Sequence, residues 1–336
     1  MQIKDLGEFK VIDLLQSITA QRSTVPIYGD TPYQLIVDNG DDAAAWKTNG
    51  GTELFTTDTM VEGVHFDLAT SNWSDIGWKS LASNISDIAA MGGKPKYALI
   101  TLGLPPETEV SHLEDLYQGY SKISNLYGVR IVGGDMVRAN SIFITVGLVG
   151  IHPGQPMVRT KAKPGDMIGT TGYLGSSGAG LKLLEESNTV SQDIRDFLLD
   201  QHKHPYPAVE TGVFLSEHGV QVAMDISDGL ADDLSKLTRA SHVAARIYTD
   251  QISVHPFVKQ AFPDYWLELA LHGGEDYQLL FSANPQLMAN IQSELPSSSS
   301  IIGEIVDGEP GQVTLVGPNG EPVSYTHLTL PTILLV

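Results

Sequence analysis

Cysteine is absent from all 336 residues, which removes disulfide staples, thiolate nucleophiles and Cys-ligated zinc from the available chemistry. Basic side chains are scarce, with 20 Lys and Arg against 40 Asp and Glu and a formal charge of −20. Nucleic acid and anionic membrane are thereby disfavoured as partners, since both reward clustered Lys and Arg. No run approaches the roughly 18 apolar residues of a membrane span. The N-terminal MQIKDLGEFKVIDLL interleaves charges in an amphipathic pattern unlike a signal peptide, so a cytoplasmic location is expected. With 42% apolar and 18% charged residues the chain is globular, and it is long enough for two domains. An acidic chain can still handle phosphates if divalent cations stand between the two sets of negative charge. The surplus acids are therefore either metal ligands or ordinary solubilising surface.

The stretch Glu53 to Phe66, ELFTTDTMVEGVHF, brings that choice into focus. A short strand at Leu54 and Phe55 is expected to run into Thr56, Thr57 and Asp58, then into a Gly63 loop ending at His65. Hydroxyls and a carboxylate at a strand end are hard oxygen donors of the kind Mg²⁺ prefers. An Asp after a strand is also a common turn residue.

Upstream, Phe9, Ile12, Leu15 and Ile18 recur at helical spacing, and QLIVD (34 to 38) reads as a strand turning at Asn39-Gly40 into Asp41 and Asp42. In a hairpin those two acids would merely be solvated. Downstream, a helix is expected over Ser74 to Met91, stopped by Gly92-Gly93. Trp78, Leu81, Ile85 and Ile88 form its apolar face, with Asn84 and Asp87 on another. Tyr97 to Leu104 reads as a strand, Ser111 with Glu114 as a capping box, and Val129 to Val132 as a buried strand running into Gly133-Gly134-Asp135. A domain edge is expected near 150 to 165, where Pro and Gly bracket Arg159; that residue is either a surface charge or a bidentate phosphate clamp. GYLGSSGAG (172 to 180) lacks P-loop or dinucleotide spacing and reads as a loop opening a helix. His202 and His204 do not make a zinc site. Val220 to Met224 is a strand ending in Asp225-Ile-Ser227-Asp228-Gly229, where Asp228 is either a helix N-cap or a repeat of the strand-then-oxygen-donor pattern. His272-Gly-Gly-Glu275-Asp276 precedes a last expected strand from Tyr277 to Phe281.

Taken together, these pieces resemble the thiamine-monophosphate kinases, within the superfamily of aminoimidazole-ribonucleotide synthetase-like ATP enzymes. The matching motifs, in the family's order over about residues 7 to 322, are GEF (7 to 9), GDDAA (40 to 44), TTDTMVEGVHF (56 to 66), SNISDIAAMGG (83 to 93), GGD (133 to 135), RTKAKPGD (159 to 166), DISDGLADD (225 to 233) and GGEDY (273 to 277). The resemblance implies an α/β (α+β) fold of two domains. Residues 1–150 would hold the ATP, metal and dimerisation functions, with the sheet pairing across a homodimer into a β-barrel, and 151–322 would form a second α/β domain. It also implies Mg²⁺ ligands at Asp42, Thr56, Thr57, Asp58, Asp87, Asp135, Asp225 and Asp228. Further implied are ATP contacts at Gly134, Asp135, Arg159, Ser227 and Tyr117, and contacts to the thiamine half of the substrate at His65 and Glu275. Asp58, Asp87 and Arg159 are the implied catalytic residues.

Two departures stand out. Ala208 follows Pro205-Tyr-Pro207 where the family often has Arg, and the family's C-terminal aromatic segment is missing. In its place VSYTHLTLPT (323 to 332) looks like the translation of a transposase sequencing adapter, so residues 323–336 are expected to be a non-native tail. The implied reaction is γ-phosphoryl transfer from ATP to thiamine monophosphate, with ATP, that monophosphate and a second copy of the chain as expected partners. Rival readings are a superfamily cousin with another acceptor and a non-catalytic metal-binding protein. Selenophosphate synthetase is disfavoured because the chain has no Cys, and aminoimidazole-ribonucleotide synthetase by His65 and the GGED motif.

Overall fold

Alternating apolar and polar residues in the first half build a six-stranded sheet. In the computed structural model, which describes residues 34–38, 40–186 and 189–321, its strands are β1 (Gln34–Val37), β2 (Ala44–Thr48), β3 (Gly51–Val61), β4 (Lys94–Leu104), β5 (Arg130–Arg138) and β6 (Phe143–His152). Their order is β1-β2-β3-β6-β4-β5, and only β4 and β5 run parallel. Helices α1 (Trp73–Ala90) and α2 (Val110–Tyr127) cover one face, over Leu54, Ala98, Ile100, Ile144, Val146 and Leu148. The opposite face stays open, with Phe55, Tyr97, Leu99 and Ile151 exposed on it. The expected helix through Phe9, the GEF motif, Asn39 and the tail from 323 lie outside the described residues.

The second sheet comprises β7 (Met167–Thr170), β8 (Val222–Asp225), β9 (Ala244–Tyr248), β10 (Leu279–Ala283), β11 (Ser300–Val306) and β12 (Val313–Val316). Its order is β12-β9-β11-β7-β10-β8, antiparallel except for β12 beside β9. Helices α3 (Ser176–Glu185), α4 (Gln192–Lys203), α5 (Val209–Glu217), α6 (Leu230–Ala240), α7 (Pro256–Ala261), α8 (Trp266–His272) and α9 (Pro285–Ile291) complete this half. Two helix-covered sheets, each mostly antiparallel, give the expected two-domain α/β architecture.

Helix α1 joins the halves. Asn72 caps it by accepting the Asp75 N–H (2.9 Å), while Asp75 accepts the Asn72 N–H. Every residue of α1 except Ser74 and Asp87 is buried, so the expected two-faced helix is covered all round. The first sheet takes one side; Trp78 Nε1 donates to the Pro205 carbonyl (2.8 Å) and Ser86 Oγ to Asp225 (2.7 Å) on the other.

Three local expectations change. Strand β3 continues to Val61 because its pairing with β6 runs from Thr52 to Val61, past Phe55 where its pairing with β2 ends, so Thr56 to Asp58 lie mid-strand rather than at its end. Strand β5 is an exposed edge rather than a buried strand, with Val132 and Met136 more than half exposed. The capping box at Ser111 does not form: α2 starts at Val110, so Ser111 is already inside the helix, and its N-cap Glu109 makes no side-chain cap bond.

Candidate active site

Side chains alternate along β3, so Thr56 and Asp58 point toward α1 while Thr57 points to the open face. Thr56 Oγ1 donates to Asp87 Oδ2 (2.5 Å), and Asn84 Oδ1 accepts the Asp58 N–H (3.2 Å). Asp225, the last residue of β8, approaches α1 from the second half and is held by Ser86. Asp42 comes from the turn before β2. One carboxylate oxygen from each of Asp42, Asp87 and Asp225 lies within 4.8 Å of the other two.

Burial lifts the Asp87 carboxyl well above its usual range, and Asp58, Asp225 and Asp42 push it further. Burial likewise raises Asp225 to about 7, with Asp233 adding to the effect and Ser86 opposing it. Asp42 is raised by burial, drawn back by the Arg159 guanidinium, and raised again by Asp225 and Asp41. Asp58 is raised by burial, against a hydrogen bond from Ser83. Like charges confined in a largely buried cleft favour either protonation or a cation between them. Asp42 Oδ2 is buried without a hydrogen-bond partner. Hard oxygen donors, one of them unsatisfied, suit a hard divalent cation such as Mg²⁺.

Arg159 lies beside this cleft. Its Nη2 donates to Asp42 Oδ1, and its backbone N–H to Asp41 Oδ2 (3.0 Å). The two acids expected to be solvated in a hairpin are instead almost fully buried against this guanidinium. Its Nε lies 3.6 Å from Asp41 Oδ1 and makes no hydrogen bond.

A second acidic group, Asp228, Asp232 and Asp233, is already compensated, because the Lys236 ammonium contacts all three. Asp233 accepts the N–H groups of Ser227, Asp228 and Gly229 (3.0 to 3.1 Å) and thereby fixes the turn that leads into α6, whose N-cap is Gly229. Asp228 is therefore not the N-cap; its carboxylate turns to Lys236. Ser227 stands at the mouth of this turn, where its carbonyl accepts the Glu275 N–H (2.7 Å).

The GGED segment is strained. Gly274, Glu275 and Tyr277 all have positive φ (62°, 54° and 49°), which delays β10 to Leu279 rather than Tyr277. A Cβ on Gly274 would lie 2.9 Å from the Ser227 carbonyl oxygen. Asp276, buried and raised to about 7 mainly by desolvation, accepts the Gly175 and Ser177 N–H groups at the start of α3. Glu275 projects toward His65: burial alone would raise it, but Lys79, His202 and His65 outweigh that and hold it below its usual value. His65 is held down by burial, and its Nδ1 accepts the Val61 N–H (3.0 Å), leaving Nε2 to carry the proton.

Thus Asp42, Thr56, Asp58, Asp87, Asp225 and Arg159 converge, with His65 and Glu275 together beyond them. Four expected residues lie elsewhere in the single chain. Thr57 Oγ1 donates to the Val146 carbonyl on the open face (3.0 Å). Gly134 and Asp135 sit on exposed β5, where Asp135 accepts the Met136 N–H (2.9 Å) and a Cβ on Gly134 would overlap the Ile100 carbonyl oxygen. Tyr117 is exposed on α2, edge-on to Tyr120. Sequence reasoning did not single out Ser86, Asp233 or Lys79, and named His202 only to set aside a zinc site. Only Asp233 carried a local signal, as an acid in the first turn of a helix.

Two helix-covered sheets with acids from both meeting at a shared helix define an AIR synthase-related protein. The model for the AIR synthase related protein N-terminal domain matches residues 40–152, and that for the C-terminal domain residues 163–316. Within that class the chain belongs to the thiamine-monophosphate kinase family. It is 39% identical over 279 residues to the Bacillus subtilis thiamine-monophosphate kinase, covering 82% of each chain. To the Aquifex aeolicus thiamine-monophosphate kinase it is 33% identical over 330 residues, 97% of this chain and 100% of the relative. The solved structure of AaThiL complexed with AMPPCP and TMP superimposes with a TM-score of 0.82 at 33% identity, over 97% of each chain.

Proposed function

We propose that this protein transfers the γ-phosphoryl group of ATP to thiamine monophosphate, giving thiamine diphosphate and ADP by direct in-line displacement. The observation that carries the reading is the convergence of Asp42, Asp87 and Asp225 from both halves of the chain, within 4.8 Å, beside Arg159. The relatives named for this activity, and a similar structure holding AMPPCP and TMP, support it.

The acceptor is a phosphate monoester with a second pKa near 6, so it is mostly dianionic at neutral pH and needs no strong base. The difficulty is bringing two anions together, and bound Mg²⁺ would supply the positive charge that offsets their repulsion. Asp42, Asp58, Asp87 and Asp225, with the Thr56 hydroxyl, would hold the cations. Asp228 would contribute at the rim once Lys236 releases it. Arg159, beside Asp42, would present its fork of N–H donors to the transferring oxygens. Ser227, Gly134, Asp135 and Tyr117 would contact ATP, while His65 and Glu275 would hold the cationic thiamine half. Thr57, Gly134 and Asp135 lie on the open face or edge of the first sheet, the surface that would pair with a second copy, so the reading includes a homodimer. It also assigns nucleotide, metal and dimer functions mainly to residues 1–150 and the remainder to 151–322. It places the protein in the cytoplasm; among the described residues no helix is long and apolar enough to cross a membrane.

The test is turnover with γ-labelled ATP. Label is expected in thiamine diphosphate, only with Mg²⁺, and none on protein quenched in acid during a single turnover. A labelled phosphoenzyme that decays into product would overturn direct transfer, and ATP binding without thiamine monophosphate binding would point to a cousin with another acceptor.

A further inference from the structure

Lys79 lies in the middle of α1 with its side chain only 6% exposed. Its Nζ donates to Glu275 Oε2 (2.6 Å) and approaches His202 Nε2 (3.4 Å). Burial, reinforced by the Lys79 charge, holds His202 down to about 3, so the imidazole is neutral. Since an ammonium only donates, Nε2 must accept, which puts the ring proton on Nδ1, facing Ser177 Oγ (3.2 Å). Ser177 is itself fixed by donating its N–H to Asp276 (3.1 Å). A buried chain therefore runs Ser177, His202, Lys79, Glu275.

Glu275 occupies the far end of that chain with its side chain 30% exposed. Its backbone is pinned by the strained φ and the Ser227 carbonyl, but a glutamate side chain keeps rotamer freedom. The Lys79 bond removes it by taking Oε2, and among the described residues no hydrogen bond reaches Oε1. Lys79, Ser83 and Asp87 also stand at i, i+4 and i+8 on α1, one face of a helix rising about 12 Å between its ends. The same rigid rod thus carries the support for Glu275 at one end and a carboxylate of the metal cleft at the other, a separation suited to an extended thiamine monophosphate.

We propose that Lys79 is a positioning residue for the substrate: it clamps Glu275 Oε2 so that Oε1 faces the cationic thiamine half, with His202 and Ser177 holding the ammonium in place. This role rests on the proposed reaction. The alternative is an ion pair that only ties the two halves of the chain together.

The experiment is steady-state kinetics of Lys79→Met beside the wild type, with thiamine monophosphate and ATP varied separately. The KM for thiamine monophosphate is expected to rise at least tenfold, with kcat within threefold and the KM for ATP within twofold. His202→Leu, which keeps Lys79 but removes its support, should raise the same KM about threefold and serves if Lys79→Met does not fold. A lowered unfolding midpoint with both KM values unchanged, or both KM values raised equally, would overturn the role and leave a structural ion pair. A wild type that does not phosphorylate thiamine monophosphate overturns the proposed function and this role with it, whereas an active wild type with an unaffected variant overturns the role alone.

Discussion

Asp87 shows what a half-buried carboxylate costs without a counter-charge. It faces Asp42 and Asp225 in the cleft, with one hydroxyl, from Thr56, to offset them. Asp87→Asn keeps the acceptor for Thr56 and removes one negative charge. With Mg²⁺ present, kcat is expected to fall by at least about a thousandfold, in keeping with removal of a transition-state charge stabiliser. Without Mg²⁺ at pH 7, the thermal unfolding midpoint of the same variant should equal or exceed that of the wild type, because a repulsive group is gone. A variant with near-normal turnover, or one markedly less stable than the metal-free wild type, would contradict the cation-holding assignment. The residues of this cleft were legible because each stands in a short motif of polar and acidic side chains between apolar stretches. Lys79 and His202 were not: they are 123 positions apart, and nothing local to either announces the other.

Among the elements, α1 could be read from its stop signal at Gly92 and its apolar spacing, but not its burial on all sides, since the second covering comes from residues beyond 200. Its start is fastened to α4. Asp75 accepts from Lys203 Nζ (3.1 Å) and pairs with His204 Nε2 (3.0 Å), whose Nδ1 pairs with Asp200 (2.8 Å). Hydrogen bonds to Asp200 and Asp75 outweigh burial and raise His204 from 6.5 to about 9. Burial would raise Asp75, but His204 and Lys203 hold it to about 2. Because the folded chain keeps the His204 proton more tightly than the unfolded chain, this stabilisation is complete below about pH 6.5 and lost as pH rises through about 9. Asp75 contributes in the opposite sense: its share is present above about 3.8 and disappears as pH falls toward 2. Discounted for partial solvent screening, the His204 contribution is about 2 kcal/mol, a few degrees in the unfolding midpoint. The wild-type midpoint should therefore drop between pH 7 and pH 10 by that amount more than in His204→Gln; parallel curves would remove His204 from the fastening. Strand β5 was misread for a physical reason: a strand that leaves its apolar side chains exposed at a sheet edge has the same composition as one buried in a core.

For the whole molecule, that composition is the main clue to assembly. Phe55, Tyr97, Leu99 and Ile151 share the open face of the first sheet, and Val132 and Met136 line its edge, an apolar surface of the kind that marks an interface. Met136→Glu is expected to convert a dimer to a monomer in sedimentation equilibrium and to raise the KM for ATP, since Gly134 and Asp135 lie beside it. A wild type that sediments as a monomer would dispose of the dimer and of those two ATP contacts. The two-sheet plan was legible from the motif order, whereas pairing within the sheets was not, because strand order depends on contacts between residues roughly a hundred positions apart.

One consequence follows from the alternation along β3. Thr56 and Asp58 look into the cleft, while Phe55 and Thr57 look outward from the same four consecutive positions. A single-residue insertion or deletion ahead of them would turn the strand over, sending the carboxylate into solvent and an aromatic ring among the remaining acids. The acidic cleft and the open apolar face would be lost in one stroke, so this strand should tolerate point substitutions far better than changes of length.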